Sequence, residues 1–239
     1  MKKIILTSLA TTALMTQVSF AEFKLGSFGT ITPSISAASQ KYSKGIISNR
    51  NQPTASVGLD YNSPIGLYLT AYANSENSDA GSGRDYSVEY CVTPGVKKTL
   101  DKLTLDLSYE NCMTGSRDDG FFQVKLGFAA NKDTNINLNY YNESTGGIKG
   151  ADNRSEIAKE AYEAQISYNF GPVTATAGYL IYDKFLESAS LGLSKQVAGI
   201  DFDLSVYSVR ADKNTSYLSR SSQDNISAEH IIFSAKKSF

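Results

Sequence analysis

The sequence predicts an all-β fold, a transmembrane antiparallel up-and-down β-barrel of about twelve strands, each ~9–11 residues long. Three observations predict it. Apolar and polar residues alternate with period two along most of the chain, so each strand has one apolar and one wet face. The connections alternate short and long, as they do when turns and loops sit on opposite sides of a membrane. The last segment, "EHIIFSAKKSF", keeps period two through Ile231, Phe233, Ala235 and Lys237 and ends on Phe239.

The N-terminus reads as a secretory leader. Met1-Lys2-Lys3 is basic, and Ile4 to Met15 is a run of apolar and small residues. Ser19 and Ala21 place small side chains just before Glu22. That order predicts a signal peptide over residues 1–21, cleaved after Ala21. Its apolar run is too short to span ~30 Å of hydrocarbon. No cysteine lies near the cut, which argues against a lipoprotein. Residues 22–239 then form the barrel. Nothing after Ala21 approaches the ~18 uncharged apolar residues of a transmembrane helix, so any crossing falls to strands.

Period-two segments occur at 29–37, 53–61, 66–74, 85–93, 102–110, 121–130, 134–141, 160–169, 173–182, 188–195, 200–209 and 228–238. Leu103, Leu105, Leu107 and Tyr109 alternate with Thr104, Asp106, Ser108 and Glu110. Ile136, Leu138 and Tyr140 alternate with asparagines, and Ala189, Leu191 and Leu193 with Ser190, Gly192 and Ser194. The short connections are Asn62–Ile65, Pro94–Asp101, Asn131–Asp133, Gly171-Pro172 and Gln196–Gly199. The longer ones are Ala38–Gln52, Ser75–Arg84, Asn111–Gly120, Asn142–Lys159 and Ala211–Ser227, with a short Asp183–Glu187 in a long slot. A soluble sandwich has no reason to sort its loops by parity. In a barrel, Ala55, Val57, Leu59 and Tyr61 face lipid.

Parity also assigns an inner face. It carries Asp60, Glu89, Asp106, Glu110, Glu163, Asp201 and Asp203, against Lys125 and Lys236. An acidic lumen attracts cations, provided the charges sit at a constriction; otherwise they only bond one another and water. Tyr68 and Tyr72 share this face as lumen-filling candidates. Loss of Lys2 and Lys3 with the leader takes the net charge from −1 to −3, against the basic surface a nucleic-acid binder needs. Fifteen tyrosines with no tryptophan suit interfacial belts and all-β proteins alike.

The two cysteines, Cys91 and Cys112, fall on inward parity of neighbouring strands. A turn near Asp101 aligns them for a disulfide, and one at Val96 separates them beyond its reach. The one histidine, His230, has no nucleophile motif and no adjacent partner set, so no catalytic set is expected. One His and two Cys make no metal cluster. "SRDDG", Ser116 to Gly120, is a weak divalent-cation loop. No cofactor motif is present.

The segment "YSKGIISNRNQPTASVGLDYNSPIGLYLTAYAN" resembles the N-terminal half of the TorF family of porins. The matching residues are Tyr42, Gly45, Pro53, Gly58, Asp60, Tyr61, Gly66, Tyr68 and Ala73, and "DYSVEYCVTPG" is similar to the family's next strand. Lys44 stands where arginine is usual. The final strand with its terminal Phe239 likewise resembles the closing strand of outer-membrane barrels. These resemblances imply a location in the outer membrane of a Gram-negative bacterium, contact with outer-membrane lipid, and barrel-assembly machinery that reads the C-terminal strand. The expected role is passive diffusion of small hydrophilic solutes, with Ala38–Gln52 or Asn142–Lys159 as inward-folding gates. Two alternatives differ in class: a plugged structural or adhesive barrel, and a soluble periplasmic lipocalin-like binder whose apolar faces point inward.

Overall fold

The computed structural model describes residues 22–43, 46–47, 52–78, 85–114, 117–145, 148–149, 156–158, 160–182, 186–211 and 228–239. The expected leader lies outside them, as do large parts of the longer loops. Twelve strands run antiparallel in chain order. They are β1 (Thr30–Ala38), β2 (Thr54–Asn62), β3 (Leu67–Ser78) and β4 (Asp85–Leu100). Next come β5 (Leu103–Thr114), β6 (Arg117–Ala129), β7 (Thr134–Thr145) and β8 (Glu160–Asn169). β9 (Thr174–Tyr182), β10 (Leu186–Val197), β11 (Ile200–Ala211) and β12 (Ala228–Ser238) complete the sheet. β12 pairs back onto β1, from Ser234 opposite Ala38 to Ser238 opposite Ser34. The sheet is therefore closed and leaves no edge to aggregate.

The two faces are inverted relative to a soluble protein. Outward positions are apolar and open: Leu59 is 53% exposed, Leu105 40% and Leu191 67%. Inward positions bury polar groups, Ser108 and Ser188 each at 2%, beside apolar ones such as Leu180. Burying one leucine stabilises by ~1.5–3 kcal/mol, so a continuous outer surface of such residues needs hydrocarbon around it. The lipocalin-like alternative, with apolar faces inward, is contradicted by this pattern. Tyr168 and Phe170 meet edge-on at 4.6 Å on the turn side, and Tyr140 packs against Tyr162 at 5.2 Å nearer the loops. Aromatics at both levels fit the two membrane interfaces.

The turns on one side are tight. Asp101-Lys102 joins β4 to β5, and Ala198-Gly199 joins β10 to β11, with φ of 52° and 75°. Positive φ at both central positions matches a twisted hairpin. Two expected connections are corrected. Pro94–Asp101 is not a turn throughout: Pro94–Leu100 is the second half of β4, and only Asp101 belongs to the turn. Pro94 is tolerated because the β4–β5 ladder passes from Val92–Asn111 to Gly95–Ser108 without it, which removes the need for its N–H. Asn111–Gly120 is not a long loop either: β5 runs to Thr114 and β6 starts at Arg117. Asp118 and Asp119 pair with Met113 and Cys112 in the ladder, so "SRDDG" is strand and not a cation-binding loop, with Ser116 outside the described residues.

Candidate functional site in the barrel lumen

Strand parity places Asp60, Glu89, Asp106, Glu110, Lys125, Glu163, Asp203 and Lys236 on the inner face. Asp60 accepts a hydrogen bond from Thr70 Oγ1 at 2.7 Å. Asp106 lies between Lys97 and Lys125 across the ladder and accepts the Tyr68 hydroxyl at 2.7 Å. Glu110 accepts the Tyr72 hydroxyl at 3.3 Å. Asp201 sits beside the Ala198-Gly199 turn, opposite Lys236 and bonded by Gln196 Nε2 at 2.8 Å. It belongs to the turn-side rim. Asp203, two residues deeper, reaches the lumen proper.

Tyr68 does not fill the lumen. Its ring lies over Gly95, where a Cβ would stand 2.3 Å from Tyr68 Cζ. The missing side chain lets the ring lie along the wall until its hydroxyl meets Asp106. Tyr72 is likewise drawn along the wall towards Glu110 and the Cys112 sulfur, 3.8 Å away. Cys91 and Cys112 are directly opposed, with Cα atoms 4.1 Å apart, and form a disulfide between β4 and β5. The Asp101-Lys102 turn sets that register.

What crosses the lumen is the segment after β1. Lys41 forms an ion pair with Glu89 on β4, which also accepts Asn74 Nδ2 at 3.0 Å. The next residue, Tyr42, turns the other way. Its hydroxyl donates to Ser188 Oγ on β10 at 3.1 Å, and its ring stacks on Tyr207 of β11 at 3.8 Å. β4 and β11 are separated by β3, β2, β1 and β12 around the wall, so Lys41 and Tyr42 bridge nearly opposite sides. Tyr207 in turn packs on an inward apolar cluster of Ala161, Leu180, Tyr182, Leu186 and Val209. This strap narrows the barrel near its loop-side mouth.

Two cavities lie below the strap. A volume of about 350 Å³ sits against Tyr42 and Tyr207 and reaches Asp203. A larger one, about 740 Å³, opens towards the tight turns between Lys97, Asp106, Lys125 and Asn135. Tyr141, Glu163 and Gln165 line both, so the two meet there. Glu163 accepts three hydrogen bonds, from Asn139 Nδ2 (2.9 Å), the Tyr141 hydroxyl (2.9 Å) and Gln165 Nε2 (2.7 Å). Three neutral side chains thus anchor this carboxylate. Asp60, Glu89 and Glu110 stay on the β2–β5 wall and line neither cavity.

Sequence reasoning placed Lys41 and Tyr42 only within the expected gate Ala38–Gln52, and it missed Lys97, Tyr141 and Glu143. Lys97 was hidden by reading Pro94 as a strand end. Glu143, buried and bonded by the Tyr182 hydroxyl at 2.6 Å, fell in an expected loop. His230 faces Tyr207 across the β11–β12 ladder, with no hydrogen-bonded acid or serine among the described residues.

No protein-family model and no curated protein matches the chain. Its fold, however, is similar to solved porins. A KdgM porin in complex with disordered oligogalacturonate superposes with a TM-score of 0.59 over 87% of this chain and 99% of that one, at 10% identity. The NanC porin gives 0.55 over 85% and 97%, also at 10% identity. An outer membrane channel from Pseudomonas putida gives 0.55 over 93% and 100%, at 12% identity. The architecture is a closed barrel of twelve antiparallel strands, like that of these porins, with an apolar outer face and a mixed inner one.

Proposed function

We propose that this chain is an outer-membrane channel passing small hydrophilic solutes by diffusion, with a preference for cations. The observation that carries this reading is the polar path from the turn side, through the 740 Å³ cavity, past Glu163 and up to the strap. The porin architecture of its structural neighbours supports it, as does the greasy outer surface. In this reading residues 1–21 are the export signal, and the strand ending at Phe239 is what assembly machinery recognises. The strap of Lys41 and Tyr42 is the constriction, which supports the gate expected in Ala38–Gln52. The proposed TorF-family kinship gains a rationale: Tyr42 is in the strap, and Asp60 and Tyr68 are bonded within the wall.

The solute class differs from that of the KdgM complex. Oligogalacturonate is a polyanion, and Glu163 and Asp203 would repel it. Neither carboxylate is paired with a lysine or arginine among the described residues, so their fields reach a passing ion.

Planar-bilayer recording tests the proposal. Purified mature protein should give discrete conductance steps, and in a salt gradient the reversal potential should shift towards the cation. Glu163→Gln with Asp203→Asn should shrink that shift, while Asp201→Asn at the rim changes it less. Absence of both steps and liposome swelling would mean a plugged barrel, the reading that the strap itself favours.

A further inference from the structure

The cavity beneath the strap carries charge of one sign. Its wall combines the rings of Tyr42, Tyr141 and Tyr207 with the carboxylates of Glu163 and Asp203, and the other lining groups are small or neutral. No lysine, arginine or histidine lines it among the described residues. Every hydrogen bond to Glu163 comes from a neutral donor, and Asp203 accepts from Ser205 Oγ at 2.6 Å. Neutral donors orient a carboxylate without cancelling its charge. The stacked Tyr42–Tyr207 pair, 3.8 Å between centroids, supplies an aromatic wall, and ring faces attract cations within ~6 Å. A volume of about 350 Å³ is at the small end of ligand pockets, which run ~300–1,000 Å³.

We infer that this cavity is a binding site for a small organic cation: an ammonium group on a short apolar or aromatic body. An inorganic ion would engage the carboxylates alone and leave the tyrosine wall without a role. An anion would find two repelling charges and no cationic partner. The inference rests on the channel reading only for the route by which the ligand arrives.

Calorimetric titration of the detergent-solubilised full barrel tests it, with benzylammonium as probe and benzyl alcohol and benzoate as neutral and anionic counterparts. Saturable binding of benzylammonium alone is expected. Glu163→Gln with Asp203→Asn should weaken it by about tenfold or more, and Tyr42→Leu, which lies outside the twelve barrel strands, by about threefold. Heat-modifiable migration verifies that each variant is folded. No saturable binding of benzylammonium, equal binding of benzyl alcohol, or unchanged affinity in the folded variants would overturn the inference. Conductance in potassium chloride, recorded on the same preparation, separates the two claims: a conducting protein that does not bind overturns the site alone, and a binding protein that does not conduct overturns the channel alone.

Discussion

Tyr68 and Gly95 act as a pair. The ring occupies the space where a side chain at Gly95 would stand, 2.3 Å from Cζ, and the hydroxyl is held by Asp106. Gly95→Ala should therefore push the ring off the wall and into the lumen. Because the ring can swing, the barrel stays folded and the expected readout is a lower single-channel conductance, restored by adding Tyr68→Ser. Unchanged conductance in Gly95→Ala would mean the ring already projects inward. At this scale the sequence was readable only where period two holds. Parity found Asp60, Asp106, Glu163 and Asp203, because alternation alone decides their face. It could not find Lys41 or Tyr42, since a connecting segment has no period to read. Nor could parity tell the bonded, lumen-central Glu163 from the rim residue Asp201, because depth along a strand depends on turn position.

The strap, the β4–β5 hairpin and the turns are the elements that shape the lumen. Lys41→Met removes the ion pair with Glu89 and leaves the half-buried Glu89 with Asn74 as its remaining bonded neighbour on the wall. The strap should loosen, and conductance should rise with more frequent open events; Glu89→Gln should do the same. A fall in conductance would show that the strap is not the constriction. On the neighbouring hairpin, Cys91 and Cys112 close a separation of 21 residues, for which the loop-entropy account gives ~2–4 kcal/mol. Cys91→Ser with Cys112→Ser should lower the temperature at which the band shifts on a gel while leaving the barrel closed. The sequence left this bond open because two turn positions fitted equally well. The register of β4 and β5, with Pro94 inside a strand, resolves it in favour of Asp101-Lys102. Loop parity predicted the architecture even though the β5–β6 and β9–β10 connections are short, because the other longer connections outnumber those two exceptions.

For the molecule as a whole, solvation decides the fold. The inner face buries polar groups, with Ser108, Gln123, Ser188 and Ser205 all below 10% exposure, alongside the apolar cluster around Leu180 and Tyr182. The outer surface is apolar from Val57 round to Ile231. An arginine at Leu191 should cost ~2–4 kcal/mol if that position lies at the bilayer midplane, read as a lower denaturant midpoint in liposomes. Arginine at the neighbouring Ser190 should cost less, because its guanidinium meets water and carboxylates. Twelve strands and inside-out alternation were legible from the sequence because they need only period and parity. The lumen's narrowing was legible only as an inward-folding gate in Ala38–Gln52 or Asn142–Lys159; the residues that make it were not, because they depend on how a short segment folds across the barrel.

Site-directed spin labelling in reconstituted liposomes tests the central claim most directly, using Leu191→Cys and Ser190→Cys in separate samples. The account predicts that a label at 191 collides with membrane-dissolved oxygen and is shielded from an aqueous nickel chelate, while a label at 190 shows the reverse. Equal exposure of both labels to the aqueous reagent, or a label at 191 shielded from both, would contradict a barrel whose apolar face is solvated by lipid.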